Sequence, residues 1–399
     1  MTLHNKETTT IFDTRSFHLL LFFTRGVSLQ IWKRLGIFDR EVALYRSLQA
    51  HGIKVSFITY GNRYEYDLAK NLPGITVLYN RWHLPPAWYA RLLPVLHSPW
   101  IRRASIIKTN QLNGALIAVR AARLWHKPCV VRCGYLWSDF AMREYGHASL
   151  QYRRAQGEEE KAFKGADRIV VTTQTMAADI AMRMPETTSR ICIIPNYVDT
   201  DIFIPDPSAE KRYDLLFVGR LEPQKNLEAL LEAVRYLNIR VAVIGTGSLQ
   251  ENLRARFGDC GGRLHWIGTV PHRDLPRYLH SARVFILPSH YEGHPKSLIE
   301  AMACGLPVIG ADAPGIRDVV RHGDTGWLCT TDPESMRTAI VHVLGHPDLQ
   351  KRLGDSARQY AVSLYSLERI AEQEIRVYHE VLHSNSKLTG ETQWHLQHP

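Results

Sequence analysis

Two glutamates, Glu292 and Glu300, stand with seven residues between them in Ser-His-Tyr-Glu-Gly-His-Pro-Lys-Ser-Leu-Ile-Glu-Ala-Met-Ala-Cys-Gly-Leu-Pro-Val-Ile-Gly, residues 289–310. Carboxylates accept hydrogen bonds from hydroxyl groups, so such a pair could hold the two ends of an elongated ligand. A second run, Phe217-Val218-Gly219-Arg220-Leu221-Glu222-Pro223-Gln224-Lys225-Asn226, sets two cations five positions apart behind a glycine. Arg220 offers a planar fork that binds phosphate bidentately, and Lys225 offers a compact point charge. Gly219 lets the backbone approach a phosphate closely.

These groups need elements to aim them. Val284–Leu287 is a short apolar strand ending at Pro288, and Pro307–Gly310 begins another. Between them Pro295 suits a first helical position, Pro295–Cys304 are good helix formers or small, and Gly305 fits the stop. Glu292 then lies in a loop at the positive end of a helix, and Glu300 roughly 7–8 Å along it from Pro295. That is a strand–loop–helix–strand unit with its polar groups at a strand's carboxyl end, where open α/β sheets place ligands.

Similar units recur along the chain. Leu19–Phe23 reads as a strand, followed by a loop with Gly26 and an amphipathic helix in which Phe38, Val42, Tyr45 and Leu48 share a face. Further strands are expected at 53–60, 75–79, 106–108, 129–132 and 168–172. A Pro- and Asp-rich linker follows, then strands at 215–220, 241–245, 264–267, 284–287 and 307–309, and a last helix over about 367–382. This alternation predicts parallel sheets with helices on both faces. The 399 residues suggest two domains.

Composition narrows the function classes. Hydrophobic residues at 45% and charged residues at 22% describe an ordinary globular chain. The apolar run from Phe17 to Phe23 is too short to span a membrane, and no secretory leader is evident. The six cysteines show no paired framework, which fits reduced thiols in the cytoplasm. Residues 1–200 hold 27 Lys+Arg against 15 Asp+Glu, a net of +12; residues 201–399 hold 22 against 24, a net of −2. A basic first half calls for an anionic partner. No zinc-finger, helix-turn-helix or RNA-recognition pattern accompanies it, so nucleic acid is not expected. A phosphorylated acceptor or an anionic membrane surface, here the inner face of the cytoplasmic membrane, fits better. Between Trp82 and Arg103 aromatic, aliphatic and basic residues mix as at a membrane interface. The same mixture also describes a surface helix packed on its sheet, and both readings stay open.

The segments 217–226 and 289–310 resemble the G-R-x-x-x-x-K and E-x7-E patterns of glycosyltransferase family 4, and the likeness covers most of residues 17–382. Its members are retaining nucleotide-sugar transferases of the GT-B fold, two Rossmann-like domains facing across a cleft. The resemblance implies an acceptor-side domain over 1–200, a linker at 201–212 and a donor domain over 213–362. It also implies a helix at 363–383 that can pack back on the first domain, and a flexible tail at 384–399. Glu292, Arg220 and Lys225 become the catalytic set, with Glu292 on the donor sugar and the cations on the departing diphosphate. Glu300 would meet the ribose. Gly26, Gly219, Gly245, Gly247, Val270, Gly293, His294 and Pro295 would border the donor.

Asn110-Gln111, after the strand at 106–108, reads equally as an acceptor-side polar pair or as a structural one, and Arg132 and Tyr135 stand where many members of the resembled family carry a histidine near the reacting sugar. The expected partners are a nucleotide-diphosphate sugar and a glycan or lipid-linked acceptor hydroxyl. Asp199-Thr200-Asp201 has the D-x-D form used with metals, but two protein cations already serve the phosphates, so neither a metal nor another cofactor is expected. Val243-Ile244-Gly245-Thr246-Gly247-Ser248 lacks the third glycine of a dinucleotide fingerprint, since Gln250 takes that place. A GT-B epimerase or phosphorylase, or a non-catalytic sugar-nucleotide-binding module, are the competing readings.

Overall fold

A computed structural model describes residues 17–397, with side chains through Ser384. Seven strands form the first sheet: β1 (His18–Phe22), β2 (Lys54–Ile58), β3 (Ile75–Leu78), β4 (Ile106–Thr109), β5 (Cys129–Cys133), β6 (Arg168–Val171) and β7 (Ile191–Ile193). Their order is β3-β2-β1-β4-β5-β6-β7 and all pairs are parallel. Six more strands form the second: β8 (Tyr213–Val218), β9 (Val241–Ile244), β10 (Leu264–Gly268), β11 (Ala282–Leu287), β12 (Val308–Ala311) and β13 (Trp327–Cys329). These run β10-β9-β8-β11-β12-β13, again parallel.

Helices cover both faces of the first sheet, so successive residues of one strand enter different cores. Leu20 and Phe22 of β1 pack with Tyr89, Leu93 and Phe163. Leu19 and Leu21 pack with Trp32, Tyr45, Leu48 and Tyr378. The last helix, Leu367–Gln397, belongs to this second group through Ile370, Ala371, Tyr378 and Val381. It reaches the first sheet because the chain crosses twice at one place: Val198 donates to Tyr365 O at 2.8 Å, and Leu367 donates to Val198 O at 2.9 Å. This helix runs on to Gln397, through most of the stretch expected as a tail; residues 1–16 and 398–399 lie outside the described residues.

Among the elements that sequence reading did not place, two bear on the cleft and its sheets. Strand β13, Trp-Leu-Cys, is too short to carry a period. A helix at Leu29–Arg34 sits in the loop after β1, capped by Ser28, whose hydroxyl accepts from Ile31 N. The buried carboxylate of Glu65 accepts from Leu29 N at 3.0 Å and Gln30 N at 3.2 Å, serving further orphan donors of the same helix end. Ser28 was the local signal for this helix.

In each sheet the strand order reverses direction between two neighbours: β1 and β4 in the first, β8 and β11 in the second. Loops leaving such a pair diverge and leave a crevice. Contacts between the domains fall at loops and helices that follow these strands and their neighbours.

Candidate functional site

Sequence distance hides the central contact. Lys225 and Glu292 are 67 positions apart, yet β8 and β11 are hydrogen-bonded neighbours, with Leu215 opposite Val284. The loops leaving them are stitched together by Gln224 Nε2 to Tyr291 O at 2.7 Å and His290 N to Gln224 O at 2.9 Å. Asn226, in the left-handed conformation, adds Nδ2 bonds to Pro288 O and Thr331 O. Lys225 Nζ thereby stands 2.5 Å from Glu292 Oε1, both side chains mostly shielded from solvent. Arg220 is exposed at the same edge. Tyr135 from the first domain stacks on Phe140, and Phe140 meets Tyr291 edge-on at 4.8 Å. The catalytic candidates and Tyr135 are therefore brought to one mouth of the cleft.

The glycines divide by what stands beside them. A Cβ on Gly245 would lie 1.9 Å from Gly219 O, and one on Gly247 would lie 2.4 Å from Leu221 O. Both glycines are thus required by the packing of one donor-side loop on another. A Cβ on Gly293 would meet Gly134 O of the first domain at 2.2 Å, so that glycine allows the domains to touch. Gly26 has no atom within 4 Å of its Cβ position and makes no such contact. Gly36 does instead: its Cβ position is 2.7 Å from Val270 O, and its carbonyl accepts from His272 N at 2.9 Å.

Pro295 caps the helix Lys296–Ala303 rather than starting it. The His294 ring turns inward against Tyr365, and burial pushes its pKa down to about 3, so it is neutral. Only its carbonyl points to the first domain, accepting from Asn196 Nδ2 at 2.7 Å.

Glu300 lies one helical turn after Lys296, and both face the helix Phe38–Ala50 of the first domain. Glu300 Oε1 is 2.8 Å from His272 Nε2 and 3.5 Å from Arg40 Nη1; Lys296 Nζ is 2.5 Å from Glu41 Oε1. Burial would raise the Glu300 carboxyl, but His272 and Arg40 outweigh it and hold it below the usual range. Glu41 is likewise held down to about 2 by Lys296 and Arg40, against the opposite push of burial.

The acceptor-side candidates part company. Asn110 lines a small polar cavity with Glu41, Lys108, Arg132, Asn196 and Lys296. Arg132 is buried, donating to Asn196 Oδ1 at 2.8 Å and lying 3.5 Å from Glu374 of the last helix. It braces the domain junction rather than facing the open cleft. Lys108 is fully buried, with Nζ 2.6 Å from Glu374 Oε1, whose other oxygen accepts from Tyr378. Burial pulls the Lys108 ammonium down, to about 8, against the raising effect of Glu374. Gly36, Arg40, Glu41, Lys108 and Glu374 carried no local signal that sequence reading could use. In Asp199-Thr200-Asp201, Asp199 Oδ1 accepts from Asp201 N, folding the D-x-D into a turn.

Comparison with known proteins bears on this geometry. The family described as "Glycosyl transferases group 1" matches residues 199–360, and "Glycosyltransferase Family 4" matches residues 42–202. A D-inositol 3-phosphate glycosyltransferase from Acidothermus cellulolyticus is 28% identical over 389 residues, 87% of this chain and 86% of the relative. The matched regions of two further relatives span only 62% and 54% of their own length. Among solved structures, sucrose-phosphate synthase from Thermosynechococcus elongatus superposes with a TM-score of 0.77 at 21% identity, covering 92% of this chain and 100% of that one. Anabaena HepE, solved with UDP-glucose, gives 0.72 at 16%, covering 92% and 100%. The architecture is that of the GT-B fold. Among the described residues, no helix is long and apolar enough to cross a membrane.

Proposed function

The chain belongs to the family 4 glycosyltransferases, and from that premise we propose that it moves a sugar from a nucleotide-diphosphate donor to an acceptor hydroxyl, with retention at the anomeric carbon. The observation that carries this reading is the convergence of Arg220, Lys225 and Glu292 at the carboxyl ends of β8 and β11. In the reaction the bond from the anomeric carbon to the β-phosphate oxygen breaks as the acceptor oxygen bonds that carbon. The acceptor's proton passes to the leaving phosphate. Negative charge grows on that phosphate, and Lys225, fixed and mostly shielded, stabilises it more than water does, with Arg220 at the exposed rim adding a second cation.

The Lys225–Glu292 pair fits this division of work. A bare carboxylate beside an incoming diphosphate would repel it, and Lys225 stands against Glu292 as its counterion. Glu292 is left to accept hydrogen bonds from sugar hydroxyls. In Glu300, the ribose diol would find an acceptor. No metal is invoked, since Arg220 and Lys225 supply the charge.

Hydrolysis of UDP-, GDP- and ADP-sugars by the purified chain, with and without Lys225→Ala, tests the reading. Wild-type turnover of one donor class that collapses in the variant supports it. Interconversion of the sugar without an acceptor, or a requirement for free phosphate, would replace it with an epimerase or a phosphorylase.

The acceptor we place at a membrane. From Leu68 to Ser138 the chain contains no Asp or Glu but ten Lys and Arg. Within it Trp88, Leu92 and Val95 are exposed on one face of the helix Pro86–Leu96, with Arg91 beside them, while Tyr89 and Leu93 enter the core. Exposed apolar groups beside an exposed arginine, in a stretch of chain without acids, suit an anionic lipid bilayer and a lipid-linked acceptor. Co-flotation with phosphatidylglycerol vesicles, lost on Trp88→Ser with Arg91→Ser, is the expected result. Equal flotation with neutral vesicles would remove the charge argument.

A further inference from the structure

Glu300 is held asymmetrically. Its Oε1 takes both partners, His272 Nε2 at 2.8 Å and Arg40 Nη1 at 3.5 Å. Its Oε2 is buried with no partner among the described residues, in a side chain only 1% exposed. A buried carboxylate oxygen is a strong acceptor that costs stability while unmet, so it selects for a donor. An O–H group supplies one without adding charge.

The grip on Oε1 comes from two domains. His272 follows β10 in the second domain, whereas Arg40 lies in the first turn of the helix Phe38–Ala50 in the first. Arg40 and Glu41 face Glu300 and Lys296 in crossed pairs, cation to anion and anion to cation. Moving one helix past the other would set like charges together, so this pattern fixes the register of the two helices. His272 N also donates to Gly36 O, which ties the second half of the grip to the same approach.

We propose that Arg40 is a positioning residue for the nucleotide ribose: with His272 it fixes Oε1 of Glu300 and presents Oε2 to a ribose hydroxyl when the domains are closed. The inference rests on the assignment of Glu300 to the ribose. It adds that a residue of the acceptor-side domain sets ribose recognition, so that nucleotide affinity and domain closure rise together.

The test compares binding of UDP, GDP and ADP with that of their 2′-deoxy and 3′-deoxy counterparts, using the full chain and the base that binds best. The wild type should prefer the ribose form by about tenfold, the scale of a hydrogen bond to a charged group. Glu300→Ala should abolish the preference. Arg40→Gln should lower it to within about twofold of unity and raise the donor KM more than it lowers kcat, while Arg40→Lys recovers part of it. Should Arg40→Gln fail to fold, a preference reduced at least about threefold in Arg40→Lys carries the same weight. A wild-type preference in the Arg40 variants, alongside its loss in Glu300→Ala, would overturn the role of Arg40 alone. Retention of the preference in Glu300→Ala would overturn the ribose assignment and this inference with it.

Discussion

The two faces of the cleft are built by opposite strategies. On the second domain the chemical groups sit in short runs directly after strands: Arg220 and Lys225 after β8, Glu292 and Glu300 after β11. On the first domain the polar and charged groups near the cleft come from scattered places. Arg40 and Glu41 lie on a helix, Lys108 and Arg132 inside strands, Asn196 in the link between domains, and Glu374 on a helix that returns from the far end of the chain. A ligand held by loops after strands can be served by local motifs. A junction that must hold two domains in register draws on whatever the fold brings near. The difference teaches that donor chemistry is encoded locally here and domain coupling is encoded globally.

The sharpest test of that contrast is activity against stability. Lys225→Ala and Glu292→Gln should each lower turnover by about 10²-fold or more, the usual cost of losing one fixed charge-stabilising group, while thermal melting stays close to wild type. If either variant lost its fold, the second-domain site would be structural after all.

On the first domain the order of effects should invert. Glu374→Ala leaves Lys108 buried without its partner and should cost about 3–5 kcal/mol in urea unfolding. Replacing both, Lys108→Met with Glu374→Leu, should recover most of that loss, since an apolar pair of similar volume avoids the desolvation of two ions. Failure of the double variant to recover would mean that Arg132 and Tyr378 depend on the carboxylate more than Lys108 does.

Two glycines separate backbone strain from contact. Gly26 and Gly36 both have positive φ, at 79° and 71°, so alanine should cost each a similar strain of about 1–2 kcal/mol. Only at Gly36 would the new methyl press on Val270 O of the other domain. Gly36→Ala should therefore lose about tenfold in transfer rate and Gly26→Ala less than about twofold. Equal losses would show that the loop at 24–28 also reaches the donor.

The last effect is a pH slope shared by the two domains. His294 in the second is lowered to about 3 and His97 in the first to about 4, both chiefly by burial. Their unfolded values lie near 6.5, so below that pH the unfolded chain takes up protons that the native chain refuses. Stability present above pH 6.5 is lost as the pH falls, by about 2 kcal/mol per histidine between pH 6.5 and 5. Urea midpoints at the two pH values should converge in His294→Phe and, separately, in His97→Phe. An unchanged slope in both would locate the acid sensitivity in the carboxylates.

Much of the fold could be read beforehand, for a specific reason. Parallel strands buried on both faces are continuous apolar runs, so Leu19–Phe22, Val130–Val131 and Val284–Leu287 announce themselves, and the helices between them carry a 3.6-residue period. Trp327–Cys329 is too short for either signal. The helix at Leu29–Arg34 escaped for a similar reason, because one and a half turns show no period. At Gly245 and Gly247 the sequence shows a glycine-rich turn, and only the close approach of the Gly219 and Leu221 carbonyls shows why a side chain has no room there.

By itself the sequence determined the reaction-class candidates, because phosphate and hydroxyl chemistry depends on residue type and on spacing along one strand end and one helix. The parallel architecture was also in the sequence, since burial on both faces leaves a one-dimensional trace. Only the tertiary structure decided that Lys225 meets Glu292, that Gly36 rather than Gly26 touches the second domain, and that Arg40 reaches Glu300. Those are contacts between segments dozens to hundreds of residues apart. Their energies depend on burial and on which charge stands opposite, and neither quantity exists until the chain has folded.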